Sequence, residues 1–377
     1  MSSGHGARTS TPVDRAGLQV LPVRGIGEVS PGDDLASRIV EAAPWLQDGD
    51  VLVVTSKIVS KAEGRLVDLP AEEPERTAVR EQVLAAETAR VVARRGETRI
   101  VQTHHGFVMA SAGIDNSNVE PSRLVLLPKD PDASARALRA ALRERYGLDV
   151  AVIISDTMGR PWRTGLTDVA LGAAGIAPIR DHRGQVDPYG NHLKVTEMAV
   201  IDELASAGEL VKGKVDGVPV AVIRGYLTRP EPEDGPGAAA LVRDASLDLF
   251  SLGTAEARAA GLLEAATLAD ASAPAAVADP TAVAEALTAV AEVIAPGTTF
   301  THTTDPAVRD TLAPTAPPGT TALIVCEVSR TAPADLIRLG ADLHRLRAAL
   351  AAKGVTSTPL PPPEQIAPHR PFALLAL

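Results

Sequence analysis

VAVIISDTMGRPWRTGLTD, Val150 to Asp168, is the stretch from which the fold is read. It opens with Val150 to Ile154, an apolar run in which only Ala151 is not β-branched, the composition of a buried strand. The run is expected to stop at Ser155-Asp156-Thr157, a carboxylate and a hydroxyl exposed where a strand ends. Gly159 then lets the backbone turn, and Arg160 and Arg163 follow within one turn's reach of each other. Asp supplies a hard oxygen ligand for Mg2+ or Mn2+, Thr a second oxygen, and Arg a planar fork for phosphate or carboxylate. These are the parts of a metal–phosphate site. They also suit a solvated loop whose Asp caps a helix, so the stretch needs partners elsewhere.

The chain around it has 377 residues, enough for two domains with separate cores. Hydrophobic residues make up 45% and aromatic ones 2%, so those cores are built from Ala, Val, Leu and Ile. A formal charge of −10 argues against a general nucleic-acid binder, which needs a basic footprint, although it does not exclude a local basic pocket. Cys326 is the single cysteine, so no intrachain disulfide forms and a reducing cytosol fits. No apolar run reaches the roughly 18 residues of a membrane span. Residues 1–17 have no signal-peptide core and read as a disordered leader. A cytoplasmic protein with no membrane partner is expected.

Partners for the opening stretch lie upstream. After a strand candidate at LQVLPV, RGIGEVSPGDD turns the chain, and Asp33 or Asp34 can cap a helix through Trp45. Val51 to Val54 is a second buried-strand candidate, followed directly by Ser56, Lys57, Ser60 and Lys61. Hydroxyls and lysines just past a strand suit a phosphate, yet the glycine-rich P-loop spacing is absent and a charged helix start is equally served. Glu72 to Arg95 reads as one long amphipathic helix, and ARRGETRIVQTHHGFVMASAG as a hairpin. His104 and His105 are adjacent and would face opposite sides of a strand, so they are read as structural. GIDNSNVEPS bunches Asp115, Asn116, Ser117 and Asn118 in a segment too polar for a core. It can be an Asx-rich turn. It can also bring Asp115 to share a metal with Asp156, and Asn118 to a phosphate or the substrate, if the two loops meet.

Asp130 to Tyr146 is a capped helix leading into the opening strand, and strand, helix, strand in this order gives a mixed α/β domain. Glu197 to Leu210 reads as a helix ending in Val211-Lys212-Gly213-Lys214, a common helix terminus for backbone and dipole reasons. A helix from Ala238 into the 260s closes the domain. The Ala/Pro-rich stretch 268–280 is a linker. Beyond it, helices are expected at Thr281 to Ile294 and Asp335 to Lys353, with strands at Thr320 to Val328 and the final FALLAL.

Residues Leu18 to about Ala260 resemble the coenzyme F420-0:L-glutamate ligase family. LPVRGIGEVSPGDDL, GDVLVVTSKIVSKAEGR, AGIDNSNV, SDTMGRPWRTGLTDVALGAAG, DPYGN and LVKGK carry the resemblance, in order along the chain. The whole chain is similar to the bifunctional form with a C-terminal nitroreductase-like domain, which gives 18–262 as ligase domain and 281–377 as a shortened second α+β domain. The resemblance implies a GTP-dependent ligase that phosphorylates the F420-0 carboxylate and joins it to L-glutamate. It implies a mixed α/β fold working as a homodimer, with each active site near the subunit contact. Family sites fall on Ile26, Gly27, Glu28, Val29, Ser56, Lys61 and Asn118 for the nucleotide, and on Lys212, Gly213 and Lys214 approaching it. Asp115 and Asp156 fall on the first metal and Thr157 on the second, Mg2+ or Mn2+ being implied with two ions per site, and K+ besides. Arg160 and Arg163 are read as catalytic partners for the remaining phosphate and carboxylate oxygens. The C-terminal part departs from the family: an arginine-rich start to hold FMN phosphate is replaced by ADASAPAAVADP, so a remnant without FMN is expected. The alternative is a bifunctional enzyme that also reduces dehydro-F420-0 with FMN.

Overall fold

The computed structural model of the chain describes residues 17–115, 120–268, 277–329, 332–360 and 372–377. It divides into two compact units, Met1–Thr254 and Ala255–Leu377. The fold is of the mixed α/β class expected from the sequence. Among the described residues no helix is long and apolar enough to cross a membrane. The expected leader, apart from Gly17, and residues 269–276 of the expected linker lie outside the described residues.

In the first unit, β1 (Gln19–Val23) leads through Ile26–Val29 to α1 (Leu35–Ala42), where the Asp34 side chain accepts from the Ser37 amide at 3.3 Å. β2 (Val51–Thr55) is the strand expected from VLVV, with Val51 to Val54 wholly buried. α2 (Ser56–Ala62) starts on the next residue, and β3 (Leu66–Asp68) follows. The single helix expected over Glu72 to Arg95 is instead α3 (Glu75–Glu87) running straight into β4 (Thr88–Arg95). α3 buries none of its residues, so its spacing answers to no core. Thr88, Val91 and Val92 are β-branched and pair better on a ladder, which β5 (Thr98–Thr103) and then β6 (Val108–Ala110) provide. β7 (Arg123–Val125) pairs with β3. α4 (Pro131–Tyr146) is capped by Asp130, whose carboxylate accepts from the Ala133 amide, and ends at Gly147 with φ 69°.

β8 (Ala151–Arg160) does not stop at Ser155, as the sequence suggested. It continues and returns through Pro161-Trp162 as β9 (Arg163–Ala174), with Thr157 opposite Asp168 and Arg160 opposite Arg163. The turn uses Trp162, at φ 64°, and Gly159 lies inside the strand. Polar Ser155 and Thr157 stay in the ladder because Asp168 accepts from both hydroxyls. β10 (Ile179–Asp181) and β11 (Glu197–Ala199) form a small ladder, and α5 (Val200–Lys212) and β12 (Val220–Arg224) follow. The main sheet runs β1-β12-β2-β8-β9, with β2 and β8 parallel and the other neighbours antiparallel.

Side-chain alternation divides the central strands between two cores. Leu52, Val54, Val152 and Ile154 pack with Ile39, Leu138 and Leu142 of α1 and α4. Val51, Val53, Ala151 and Ile153 pack on the other face with Ile201, Leu204 and Ala205 of α5. The helix expected from Ala238 into the 260s is broken into 3-10 turns at Ala238–Leu241 and Ala245–Leu247 and then α6 (Thr254–Ala266). Asp244 and Asp248 accept from the Ser246 and Phe250 amides, local bonds that compete with a helix.

The second unit contains α7 (Pro280–Ala291), β13 (Thr298–Thr303), α8 (Pro306–Leu312), β14 (Leu323–Val328), α9 (Pro333–Ala351), β15 (Thr358–Leu360) and β16 (Phe372–Ala376). Its antiparallel sheet has the order β13-β14-β16-β15, and Ile324, Cys326 and Leu375 meet Val283, Leu346 and Leu350 in the core. β13 was not read from the sequence, because TTFTHT has no apolar alternation.

α4 is fastened to β9 at a point without room for a side chain. The buried Asp132 carboxylate accepts from the amides of Ala173 at 2.8 Å and Ala238 at 2.7 Å. A Cβ on Gly172 would lie 2.2 Å from the Pro131 carbonyl oxygen. Gly172→Ala is therefore predicted to lower stability by about 3 kcal/mol, seen as a lower urea midpoint with unchanged slope. A wild-type midpoint would show that the contact is not tight.

Candidate active site

The parallel register sets Thr55 of β2 beside Ser155 of β8, so Ser56-Lys57 and Asp156-Thr157 emerge at the same sheet edge. Asp115 reaches this edge through a bridge to Val125, its amide donating to the Val125 oxygen at 3.0 Å and its oxygen accepting at 2.9 Å. The Lys57 ammonium lies 2.7 Å from the Asp115 carboxylate. Burial above all, with the nearby charges of Asp168 and Asp115, pushes the Asp156 carboxyl up to about 6, against the pull of the Thr157 amide and Lys57. Asp115, at its bridge to Val125, and Asp156, on β8, thus feel each other's charge. A buried carboxyl beside a second carboxylate that is paired with Lys57 offers oxygen donors that suit a hard divalent cation. Among the described residues, no group of three or more His, Cys, Asp or Glu side chains converges to hold a metal. Asn118 lies outside the described residues.

Thr157 does not join Asp156. Adjacent strand residues face opposite sides, and the Thr157 hydroxyl donates to Asp168 at 2.7 Å and accepts from the Lys214 ammonium at 2.5 Å. On this second face Asp168, 2% exposed, accepts from Ser155 at 2.9 Å and pairs with buried Lys212 at 2.8 Å. Burial alone would raise the Asp168 carboxyl, but the Lys212 ammonium and the bonds from Lys212, Thr157 and Ser155 outweigh it and hold it low. Glu209 closes the ring, 2.6 Å from the Lys214 ammonium. Lys212 and Lys214 are therefore more than the dipole-complementing helix end that their spacing also allows.

The loop over Ile26–Val29 faces α2. Ile26 and Val29 are buried in the core, the Arg38 guanidinium donates to the Ile26 oxygen at 3.1 Å, and Gly27 takes φ 74°. Glu28 is exposed and accepts from Lys61, itself nearly buried, at 2.6 Å. Ser56 is buried at the start of α2. The nucleotide candidates Ile26, Gly27, Glu28, Val29, Ser56 and Lys61 thus meet around one short helix.

Arg160 and Arg163 are placed elsewhere. They close the β8–β9 hairpin as an exposed pair, four residues beyond Asp156 and hence roughly 13 Å along the strand. The cluster of Asp, Thr and two Arg inferred from spacing does not form, because the strand runs on where a loop was expected. His104 and His105 lie in the turn between β5 and β6, and each ring nitrogen Nε2 meets backbone oxygens, of Ala86 for the first and of Pro128 and Lys129 for the second. Asp168 and Glu209 were not singled out from the sequence. Asp168 had a legible signal, since a carboxylate beside the apolar run VALGAAG has to be buried with a partner.

The F420-0:Gamma-glutamyl ligase family model matches residues 25–225. The chain belongs to that family. Its relatives include the proteins named Coenzyme F420:L-glutamate ligase from Methanopyrus kandleri, 44% identical over 246 residues, and Methanothermobacter thermautotrophicus, 42% identical over 250. These matches cover 62% of this chain and 97% and 99% of the relatives. The counterpart from Methanocaldococcus jannaschii is 37% identical over 245 residues, 59% of this chain and 96% of its own length. The family match takes in both faces of the site, from the Ile26–Val29 loop to Lys214, and none of the second unit.

The raised Asp156 carboxyl carries a stability cost. A folded acid with a raised pKa holds a proton that the unfolded chain releases, so stability falls as pH rises from about 4 to about 6 and stays lower above. In chelator at neutral pH, Asp156→Asn is predicted to be more stable than wild type by about 2 kcal/mol, the gap closing toward pH 4. Equal urea midpoints at neutral pH would show that the Asp156 charge is not buried as this geometry requires.

Proposed function

We propose that the chain is a GTP-dependent coenzyme F420-0:L-glutamate ligase acting in F420 biosynthesis, with GTP, L-glutamate and F420-0 as substrates. The observation that carries this reading is the meeting of Asp115, Lys57 and Asp156 at the parallel edge of β2 and β8, in a chain of this family. A carboxylate is a poor electrophile for an amine until it is phosphorylated. In the proposed reaction an F420-0 carboxylate oxygen attacks the γ-phosphorus of GTP, the bond to the β-phosphate oxygen breaks, and GDP leaves. The free α-amine of L-glutamate then attacks the acyl carbon, phosphate departs, and the nitrogen loses its proton to give the amide. Phosphoryl transfer of this kind needs positioning and charge neutralisation more than covalent help.

Asp115 and Asp156 are the residues that would hold a divalent cation, Mg2+ or Mn2+, which would neutralise phosphate oxygens. Lys61 beside the Ile26–Val29 loop, and Lys214 beside Thr157, offer ammonium groups to the phosphate chain. The Thr157 hydroxyl is committed to the second face, so side-chain geometry supports the first ion more than a second one there, and no side chain is assigned to K+. The hairpin tip presents Trp162, 89% exposed, and Leu166, 68% exposed, together with Arg160 and Arg163. Such an arm suits the subunit contact of a homodimer.

The reading predicts that F420-0 incubated with the protein, GTP, Mn2+ and L-glutamate gains one glutamyl unit by mass spectrometry, with GDP and phosphate released. Omitting GTP should stop the reaction, and Asp156→Ala should lower kcat at least about 100-fold. An unchanged F420-0 mass in the complete mixture would remove the ligase reading. Full activity of Asp156→Ala would instead move the metal site elsewhere.

A further inference from the structure

The face of β8 and β9 opposite Asp156 holds a closed ring of charge. Lys212, the last residue of α5, sends its buried ammonium to Asp168 at 2.8 Å and Ser155 at 2.9 Å. Burying both ions costs desolvation that their attraction returns only in part, so a helix end that merely needed a stop would be better served by apolar packing. The pair does more than end the helix. Gly213, at φ 63°, breaks the helical path, and a Cβ there would lie 2.7 Å from the Asp216 carboxylate. The chain thereby reverses and brings Lys214 to the Thr157 hydroxyl at 2.5 Å and to Glu209 at 2.6 Å. Thr157 can accept from Lys214 because its own proton is given to Asp168 at 2.7 Å.

We propose that Asp168 is a positioning residue for the nucleotide site. It fixes Lys212 at the end of α5, orients the Thr157 hydroxyl, and through both sets where the Lys214 ammonium stands. Asp168 touches neither substrate nor reacting atoms: it acts through buried Lys212 on Lys214 and Thr157, the groups that would meet the phosphate chain. The inference rests on the GTP-dependent reading and adds a residue on the far side of the strand from Asp156.

Asp168→Asn tests it, being isosteric and able to accept one hydroxyl bond while losing the charge that holds Lys212. Loss of a charge-assisted bond at a positioning group is expected to raise the Kd for GTP with Mg2+, measured by calorimetry, at least about tenfold. The KM for GTP should rise in parallel while the KM for L-glutamate stays within about twofold. A merely structural Asp168 would leave fewer folded molecules, lowering kcat with the GTP Kd and every KM unchanged, and that result overturns the proposal. If Asp168→Asn does not fold, Ser155→Ala carries the test, since it removes the hydroxyl shared by Asp168 and Lys212. It should lower Tm and weaken GTP about threefold with the calorimetric stoichiometry of wild type, and wild-type GTP affinity would overturn the proposal. Wild-type protein that binds no GTP overturns it too. Wild type that binds GTP yet forms no amide strikes only the ligase reading.

Discussion

The parallel pairing of β2 with β8, Thr55 beside Ser155, is the constraint on which the site depends. Parallel strands end at the same edge, so the residues following each run are delivered to one place however far apart they lie in sequence. Lys57 arrives at the head of α2, Asp156 on the continuing strand, and Asp115 by its bridge to Val125. A register shift of one residue would turn Asp156 toward α5 and Ser155 toward α2, separating the acids. Strand packing holds that register: Val51 to Val54 and Ala151 to Ile154 are wholly buried on both faces of the sheet.

The two faces of β8 perform different electrostatic work. On one, burial above all, with the charges of Asp168 and Asp115 added, pushes the Asp156 carboxyl up to about 6, an arrangement that costs stability and favours a cation. The other is balanced, with Lys212 and Lys214 set against Asp168 and Glu209. An unbalanced face beside a balanced one fits a site where charge is supplied by what binds. Such local sacrifice of stability is characteristic of functional sites in otherwise consistent folds.

Much of the frame was legible in the residues. VLVV and VAVII read as buried strands because β-branched runs of that length suit little else, and caps with apolar spacing marked Asp130 to Tyr146 as a helix, which is α4. The convergence of Asp115 and Asp156 was legible only as a requirement, since no local rule says which loops meet. Three failures share one cause, the override of local signals by pairing. β4 takes over where helical spacing continued, β8 runs through Ser155 and Thr157, and Arg160 is carried to a hairpin tip. Asp168 escaped notice because its partner lies 44 residues away, at the end of α5. The strand rule that set His104 against His105 applied equally to Asp156 and Thr157, and it is Thr157 that the rule displaces.

Diffraction at the manganese absorption edge, from crystals grown with Mn2+, tests the central claim most directly. The proposed approach of Asp115 to Asp156 on β8 predicts an anomalous peak bound by carboxylate oxygens of both residues, at roughly the 2.0–2.3 Å expected for such ions. A peak touching only one of these carboxylates, or seated on the Asp168 face, would contradict it.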